Sequence, residues 1–78
     1  MSIKIALTDG QDRPKVNHEV YVKWKNGGIS SGKTNKNGVY DTGMNGTQTI
    51  EQVTCYGRVL HNYDLRVNGN DTLALEYR

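Results

Sequence analysis

Turn signals dominate this sequence and restrict what it can fold into. Four Asn-Gly dipeptides occur, at residues 26–27, 37–38, 45–46 and 68–69, and the chain has nine glycines in all. Both residues of such a pair tolerate the positive φ angles that a tight hairpin turn requires. Between the turns, no window shows a long helical stripe, and poor helix formers such as Gly, Asn, Thr and Val are frequent. The sequence therefore predicts an all-β domain.

The runs between the turns alternate in polarity, as half-buried strands do. Two of them carry apolar residues at every second position: Ile3, Ile5 and Leu7 in the first, and Val20, Val22 and Trp24 in the second. Because every second side chain of a strand lies on the same face, each triplet is predicted to point into the core. Comparable runs give about seven short strands. This number favours a small antiparallel β-sandwich of two packed sheets.

The middle of the chain is predicted to be a hairpin. Residues 31–43 read SGKTNKNGVYDTG, with the turn at Asn37 and Gly38 between two short strands. In a later extended run, the apolar residues Ile50 and Val53 are three apart, which breaks the alternation and predicts a bulge near Glu51.

The composition makes several classes of function unfavourable. A chain of 78 residues is long enough for one domain only. Ten basic and eight acidic residues give a net charge of +2, which favours neither nucleic acid nor an anionic membrane as a partner. One cysteine cannot form an internal disulfide, and no apolar run approaches the length of a membrane-spanning helix. Since the first residues lack the apolar core of a signal peptide, we expect a cytoplasmic protein; a virion component or a domain of a longer secreted protein stays open.

Two segments in the first half of the chain carry a family resemblance. They are residues 12–24, in which Pro14 precedes the run VYVKW, and residues 32–40, which read GKTNKNGVY. Together they resemble the signature of prealbumin-like modules, such as the regulatory-like domain of carboxypeptidases and the B-type repeats of bacterial collagen adhesins. The glycine that the signature has before its proline is replaced here by Asp12 or Arg13. The resemblance implies an Ig-like or prealbumin-like sandwich.

Members of that family are mostly non-catalytic spacers, adhesion modules or accessory domains, so the resemblance implies an interaction or structural role. Some adhesin repeats contain a Lys–Asn isopeptide bond promoted by a buried acid. The nearest candidates for these groups here are Lys4, Asn68 or Asn70, and Glu51. Lys4 alternates with the apolar face of the first strand and is therefore predicted to be solvated, because an unpaired lysine in the core is costly.

No arrangement of residues predicts catalysis, a metal or a cofactor. Cys55 is the only thiol, and His18 and His61 are the only imidazoles. Cys55 lies in an apolar extended run, where we expect a small buried side chain and not a nucleophile. These three residues are too few and too scattered for a zinc site, which needs about four clustered ligands. We expect His18 in solvent at the start of a strand and His61 in a loop.

Residues 27–34 match the phosphate-loop pattern G-x-x-x-x-G-K-T. A phosphate loop requires a following helix whose N-terminus faces the phosphates. Here the next residues, NKNG at 35–38, predict a turn instead. The match is therefore interpreted as a coincidence.

One polar strand face is the candidate interaction surface. It combines basic side chains with an aromatic ring: Tyr21, Lys23 and Lys25 on the second strand, and Lys33 and Lys36 on the next hairpin. Such a surface could stack on bases and contact the phosphates of single-stranded nucleic acid. The simpler interpretation is a solvated edge strand, whose lysines prevent pairing with another sheet edge.

The sequence therefore predicts a non-enzymatic protein-interaction or structural module. Its partner would be another protein, or a second copy paired through an exposed edge strand. Two alternatives stay open. One is a small inhibitor or adaptor of a host protein, of the kind that phages and mobile elements encode. The other is a weak nucleic-acid binder that uses the Lys/Tyr face.

Overall fold

The computed structural model describes residues 2–78, which form eight strands in two sheets. The strands are β1 Lys4–Thr8, β2 Glu19–Trp24, β3 Ile29–Lys33, β4 Val39–Asp41, β5 Gln48–Cys55, β6 Arg58–His61, β7 Leu65–Val67 and β8 Thr72–Glu76. Sheet A has the order β4, β1, β8, and sheet B has the order β3, β2, β5, with β6 and β7 pairing with opposite halves of β5. The predicted small all-β sandwich is confirmed. Residues 2–78 contain no helix long and apolar enough to cross a membrane.

The two sheets bury their facing side chains between them. Three segments supply nine residues that are at most 1% exposed: Ile3, Ile5 and Leu7 along β1, Val20, Val22 and Trp24 in β2, and Ile50, Val53 and Cys55 in β5. Both triplets predicted from the alternation are therefore confirmed as core. Trp24 Nε1 also donates a hydrogen bond of 2.9 Å to Ser30 Oγ, so the indole enters the core without an unsatisfied polar atom.

The predicted bulge is present in β5. Lys23 lies opposite Gln52, but the next residue, Trp24, lies opposite Ile50, so Glu51 is the extra residue. The bulge allows Ile50 and Val53 to point into the core although they are three residues apart.

The first and last strands of the described chain form a parallel pair. Ile5 lies opposite Leu73 in β8 on one side and opposite Tyr40 of the antiparallel β4 on the other. The predicted antiparallel arrangement therefore holds for the remaining strand pairs and not for this one. Alternation alone could not show this, because a strand presents the same apolar face whichever way its neighbour runs.

The predicted hairpin at residues 31–43 is wrong, because this stretch is a corner between the sheets. β3 pairs with β2 in sheet B, whereas β4 pairs with β1 in sheet A. The tight turn itself exists: the Gly38 amide donates to the Asn35 carbonyl, and the Asn35 amide donates to the Val39 carbonyl, each at 2.9 Å. The local turn chemistry is thus the same for a hairpin and for a corner. Only the pairing of the flanking strands distinguishes them.

Polar side chains hold this corner. Asn35 Oδ1 accepts hydrogen bonds from two backbone amides within the turn, at 2.8 and 3.1 Å. Thr34 is buried, and its hydroxyl accepts from the His18 amide at 3.0 Å while donating to the Lys15 carbonyl at 2.5 Å. Thr34 therefore fixes the loop before β2 as well as the end of β3.

Two glycines allow close packing beside the corner. Gly38 has a φ of 74°, and a Cβ there would lie 2.7 Å from the Leu7 carbonyl oxygen and 2.8 Å from Pro14 Cβ. Gly32 lies under the ring of Tyr40, where a Cβ would come within 2.5 Å of the ring. The corner thus needs glycine at position 38 both for its backbone conformation and for space.

Replacing Gly38 by alanine is expected to destabilise the domain more than the same replacement at Gly43. Gly43 has a φ of 73° but no atom within 4 Å of an added Cβ, so Gly43→Ala reports backbone strain alone, about 1–2 kcal/mol. Gly38→Ala adds contact with rigid main-chain atoms, for which overpacking costs typically about 1–3 kcal/mol more. Urea unfolding followed by Trp24 fluorescence measures both losses. Equal losses would contradict the packing role of Gly38.

Candidate functional site

The predicted interaction surface lies on the outer side of sheet B. In β2, Val20, Val22 and Trp24 point inward, so the alternate residues point to solvent. The strand registers place Ile29, Lys23 and Gln52 in one row across β3, β2 and β5. The next row contains Ser31, Tyr21, Thr54 and Val59. We call these seven residues the B face.

The B face does not belong to an edge strand. β2 lies between β3 and β5, so the interpretation of its lysines as guards of a sheet edge is wrong. The edge on this side is β3, which pairs with β2 alone among the described strands. Alternation predicted which way the β2 side chains point, but it carries no information about the position of a strand within its sheet.

A shallow groove of about 150 Å³ opens on the B face. It is lined by Tyr21, Lys23, Ile29, Gln52 and Thr54. Its apolar walls are open to solvent, since Tyr21 is 48% exposed and Ile29 is 64% exposed. Small-molecule sites usually measure roughly 300–1,000 Å³ and bury most of their ligand. This groove therefore fits a side chain of a partner better than a cofactor.

A second depression of similar volume adjoins the first. It shares Lys23 and Gln52 with the groove and adds Glu51 and Asn62. The outer surface of sheet B therefore changes from apolar beside Ile29 to polar beside Asn62. The polarity of the surface thus increases along the row that runs from β3 across β2 to β5.

Acidic neighbours offset the two basic residues at this end of β2. Lys23 Nζ lies 3.6 Å from Glu51 Oε2, and Lys25 Nζ lies 3.1 Å from Asp64 Oδ2. The hydrogen bond to Asp64, together with the charge of that carboxylate, raises the pKa of Lys25. Exposed pairs of this kind contribute little to stability. They do reduce the positive potential that a phosphate backbone would meet.

The five residues predicted to act together are not brought together. Tyr21 and Lys23 share the B face, and Lys25 follows at the end of β2. Lys33 lies opposite Glu19, six residues before Lys25, so the two lysines are about 20 Å apart at a rise of about 3.3 Å per residue. Lys36 lies in the corner at residues 34–38, outside any strand. The structure therefore does not assemble the continuous Lys/Tyr surface.

The remaining candidates for chemistry also have definite positions. Cys55 is fully buried, and this desolvation raises the pKa of its thiol. His61 lies in β6 and is buried, not in a loop as predicted, and its Nε2 donates to the Tyr63 carbonyl at 2.6 Å. His18 is half-buried against two tyrosine rings and not free in solvent. Within residues 2–78, no cluster of His, Cys, Asp and Glu has the form of a metal site.

The phosphate-loop match lies in a hairpin. Residues 27–34 cover part of the turn after β2 and all of β3, and the corner follows instead of a helix. The turn predicted at residues 35–38 is therefore confirmed, and it stands where a phosphate loop requires a helix N-terminus.

The candidate isopeptide groups lie on different surfaces. Lys4 is opposite Asp41 and Thr72 in sheet A and does not join the buried triplet of β1. Glu51 lies beside Lys23 on sheet B, and Asn68 Oδ1 accepts a hydrogen bond of 2.9 Å from the hydroxyl of Thr47. The arrangement places the sandwich core between the lysine and the acid.

One cluster was missed by the sequence reasoning. His18, Tyr56 and Tyr77 come from three separate segments and pack together at one end of the sandwich. Nothing in the local sequence connects them. The single local signal was the tyrosine before Gly57, at a turn position that favours asparagine.

No family model, curated protein sequence or solved structure matches this chain.

Cys55 is expected to resist alkylation while the domain is folded. Its side chain is inaccessible and its raised pKa keeps it protonated. Mass spectrometry after iodoacetamide treatment should show slow labelling in native buffer and complete labelling in urea. Because the unfolded thiol ionises more readily, stability should also fall as the pH rises above the ordinary thiol pKa of 9.0.

Asn62→Cys in a Cys55→Ser background provides the control for that experiment, because residue 62 is exposed. Fast native labelling of Cys55, at a rate similar to that of the control, would contradict its burial.

Removing the carboxylate of Asp64 is expected to lower the pKa of Lys25 toward its usual value. Asp64→Asn eliminates the charge and the charged hydrogen bond that together raise this pKa. An NMR titration of the lysine side chains measures the change. Asp12→Asn, in the loop after β1, is the matched control and should leave Lys25 unaffected. An unchanged Lys25 pKa in Asp64→Asn would contradict the pairing.

Proposed function

We propose that this domain is a non-enzymatic protein-interaction module whose B face receives a partner protein. The observation that carries the proposal is the groove between Tyr21 and Ile29, which exposes apolar side chains on the outer side of sheet B. Val59 adds a third exposed apolar side chain in the row of Tyr21; it is 49% exposed. Soluble domains expose single apolar residues often, but a group around a groove is typical of an interaction site.

The two side chains at the groove supply most of the apolar surface that a partner would bury. Full burial of a large apolar side chain contributes about 1.5–3 kcal/mol, and Tyr21 and Ile29 have about half or more of their surface still available. Tyrosine is also enriched among the residues that dominate binding energy at protein interfaces. Lys23 and the polar depression beside it supply a rim that orients the partner.

The scaffold favours binding without large rearrangement. The B face consists of residues in four neighbouring strands whose backbone is fixed by the registers of sheet B. The resemblance of residues 12–24 and 32–40 to prealbumin-like modules supports the same role, since those modules are mostly non-catalytic. The open edge of β3 adjoins the face, so a second copy of the chain could pair there and extend the sheet.

A photoreactive phenylalanine analogue at position 29 is expected to cross-link to a partner in cell extract. The same analogue at Ala74, on the exposed side of β8, is the control and should give no such product. Addition of Tyr21→Ser to the position-29 variant should abolish the product while urea unfolding changes by less than about 0.5 kcal/mol, as for most surface substitutions.

The composition of the cross-linked products shows which partner, if any, the B face binds. A product that contains two copies of this chain would assign the B face and the β3 edge to self-association. No product at position 29, or equal products at positions 29 and 74, would contradict the proposal.

A further inference from the structure

The missed cluster forms a second surface, at the end of the sandwich. The ring centroids of His18 and Tyr56 are 5.4 Å apart, those of His18 and Tyr77 also 5.4 Å, and those of the two tyrosines 6.1 Å. The Arg58 guanidinium lies 4.7 Å from the centre of the Tyr77 ring. We call these four residues the aromatic end. Tyr56 and Arg58 are exposed, so the cluster faces solvent.

Three separate segments outside the strands bring these residues together. His18 ends the loop before β2, Tyr56 lies in the turn between β5 and β6, and Tyr77 follows β8. The buried Thr34 holds the backbone of His18, and His18 Nδ1 donates to the Val16 carbonyl at 2.9 Å. That hydrogen bond leaves Nε2 as the ring nitrogen available to a partner.

Tyr56 stands where the turn would favour another residue. Tyr56 and Gly57 have φ angles of 50° and 79°, as in the two-residue turns that prefer Asn-Gly. A bulky side chain in this left-handed region costs about 1–2 kcal/mol. The hydroxyl of Tyr56 compensates little, since its contact with the Asn17 carbonyl is 3.3 Å long. Residues held in an unfavourable backbone conformation of this kind cluster at functional sites.

Two cations lie at the aromatic end. Arg58 is part of the cluster itself, and the backbone carbonyl of Lys15 accepts the Thr34 hydroxyl that holds His18. Neither side chain forms an ion pair with a side chain in residues 2–78, in contrast to Lys23 and Lys25. The Arg58 guanidinium donates a hydrogen bond to the backbone oxygen of Arg78, and a guanidinium has further N–H donors for an anionic group from outside the domain.

We propose that the aromatic end binds an acidic polypeptide segment, with its carboxylates at Arg58 and Lys15 and an apolar side chain against Tyr56. Tyrosine and arginine are the residue types that most often anchor protein interfaces. The rings offer no site that would hold a base on both of its faces, because the interplanar angles of 53° to 72° leave no parallel pair. Arg58 also covers one face of Tyr77. This surface is separate from the B face and does not depend on it.

The test is an NMR titration of the isotope-labelled domain with two synthetic peptides. In the first, glutamate alternates with leucine, and in the second glutamine replaces glutamate. We expect saturable shifts of the backbone amides of residues 17–18, 56–58 and 77–78 with the acidic peptide only. Tyr56→Asn and Arg58→Gln should each weaken that binding about tenfold, a change that corresponds to about 1.4 kcal/mol.

Tyr56→Asn separates a binding role from a structural one. Asparagine suits the turn, so this variant should be at least as stable to urea as the parent and yet bind less. A clearly destabilised Tyr56→Asn would show that the cluster serves packing and would overturn the proposal. Arg66→Gln, in β7 and outside both surfaces, is the control and should bind the acidic peptide as the parent does.

Two further outcomes would also overturn the proposal. One is the absence of shifts at the aromatic end with the acidic peptide. The other is tighter binding of oligothymidylate at the same residues, with the steep loss of affinity at higher salt that phosphate contacts produce. That result would assign the surface to single-stranded nucleic acid.

Discussion

At residues 34–38 the chain leaves sheet B, turns and enters sheet A, and the two sheets face each other because this turn holds. The buried hydroxyl of Thr34 forms hydrogen bonds with two backbone groups of the loop before β2. The side chain of Asn35 accepts hydrogen bonds from two backbone amides within the turn. Gly38 then packs directly on the end of β1, where its carbonyl accepts the Leu7 amide at 2.8 Å. A polar turn thereby fixes the relative position of two apolar layers. The core depends on it, although the turn contributes no side chain to the large apolar cluster.

The corner also links the two proposed surfaces. β3, which leads into it, supplies Ile29 to the B face, and Thr34 at its end holds the loop that carries His18. The two surfaces differ physically. The residues of the B face are placed by the strand registers of sheet B. The aromatic end is assembled from two connections and the segment after β8, and it includes a strained turn. Binding sites are often carried by such connections on a rigid scaffold.

The sequence predicted the candidate site in part. It identified Tyr21 and Lys23 correctly as outward-facing residues, because alternation within one strand determines the direction of each side chain. It could not identify Ile29, Thr54 or Val59 as their neighbours, since those residues lie on other strands and the registers are set by tertiary packing. It also grouped Lys33 and Lys36 with them, because it took the corner for a hairpin that would have kept β4 in the same sheet.

The sequence by itself determined the all-β class, the inward faces of the strands, the positions of the tight turns and the bulge in β5. Each of these follows from short-range sterics and from the period of apolar residues, which a single segment carries alone. Tertiary structure decided which strands pair, that β1 and β8 run parallel, and that the central turn joins two sheets. The reason is that an apolar face can be buried against any complementary layer. The choice among layers depends on the close fit at Gly38, Gly32 and Thr34, which exists only when the whole chain is folded.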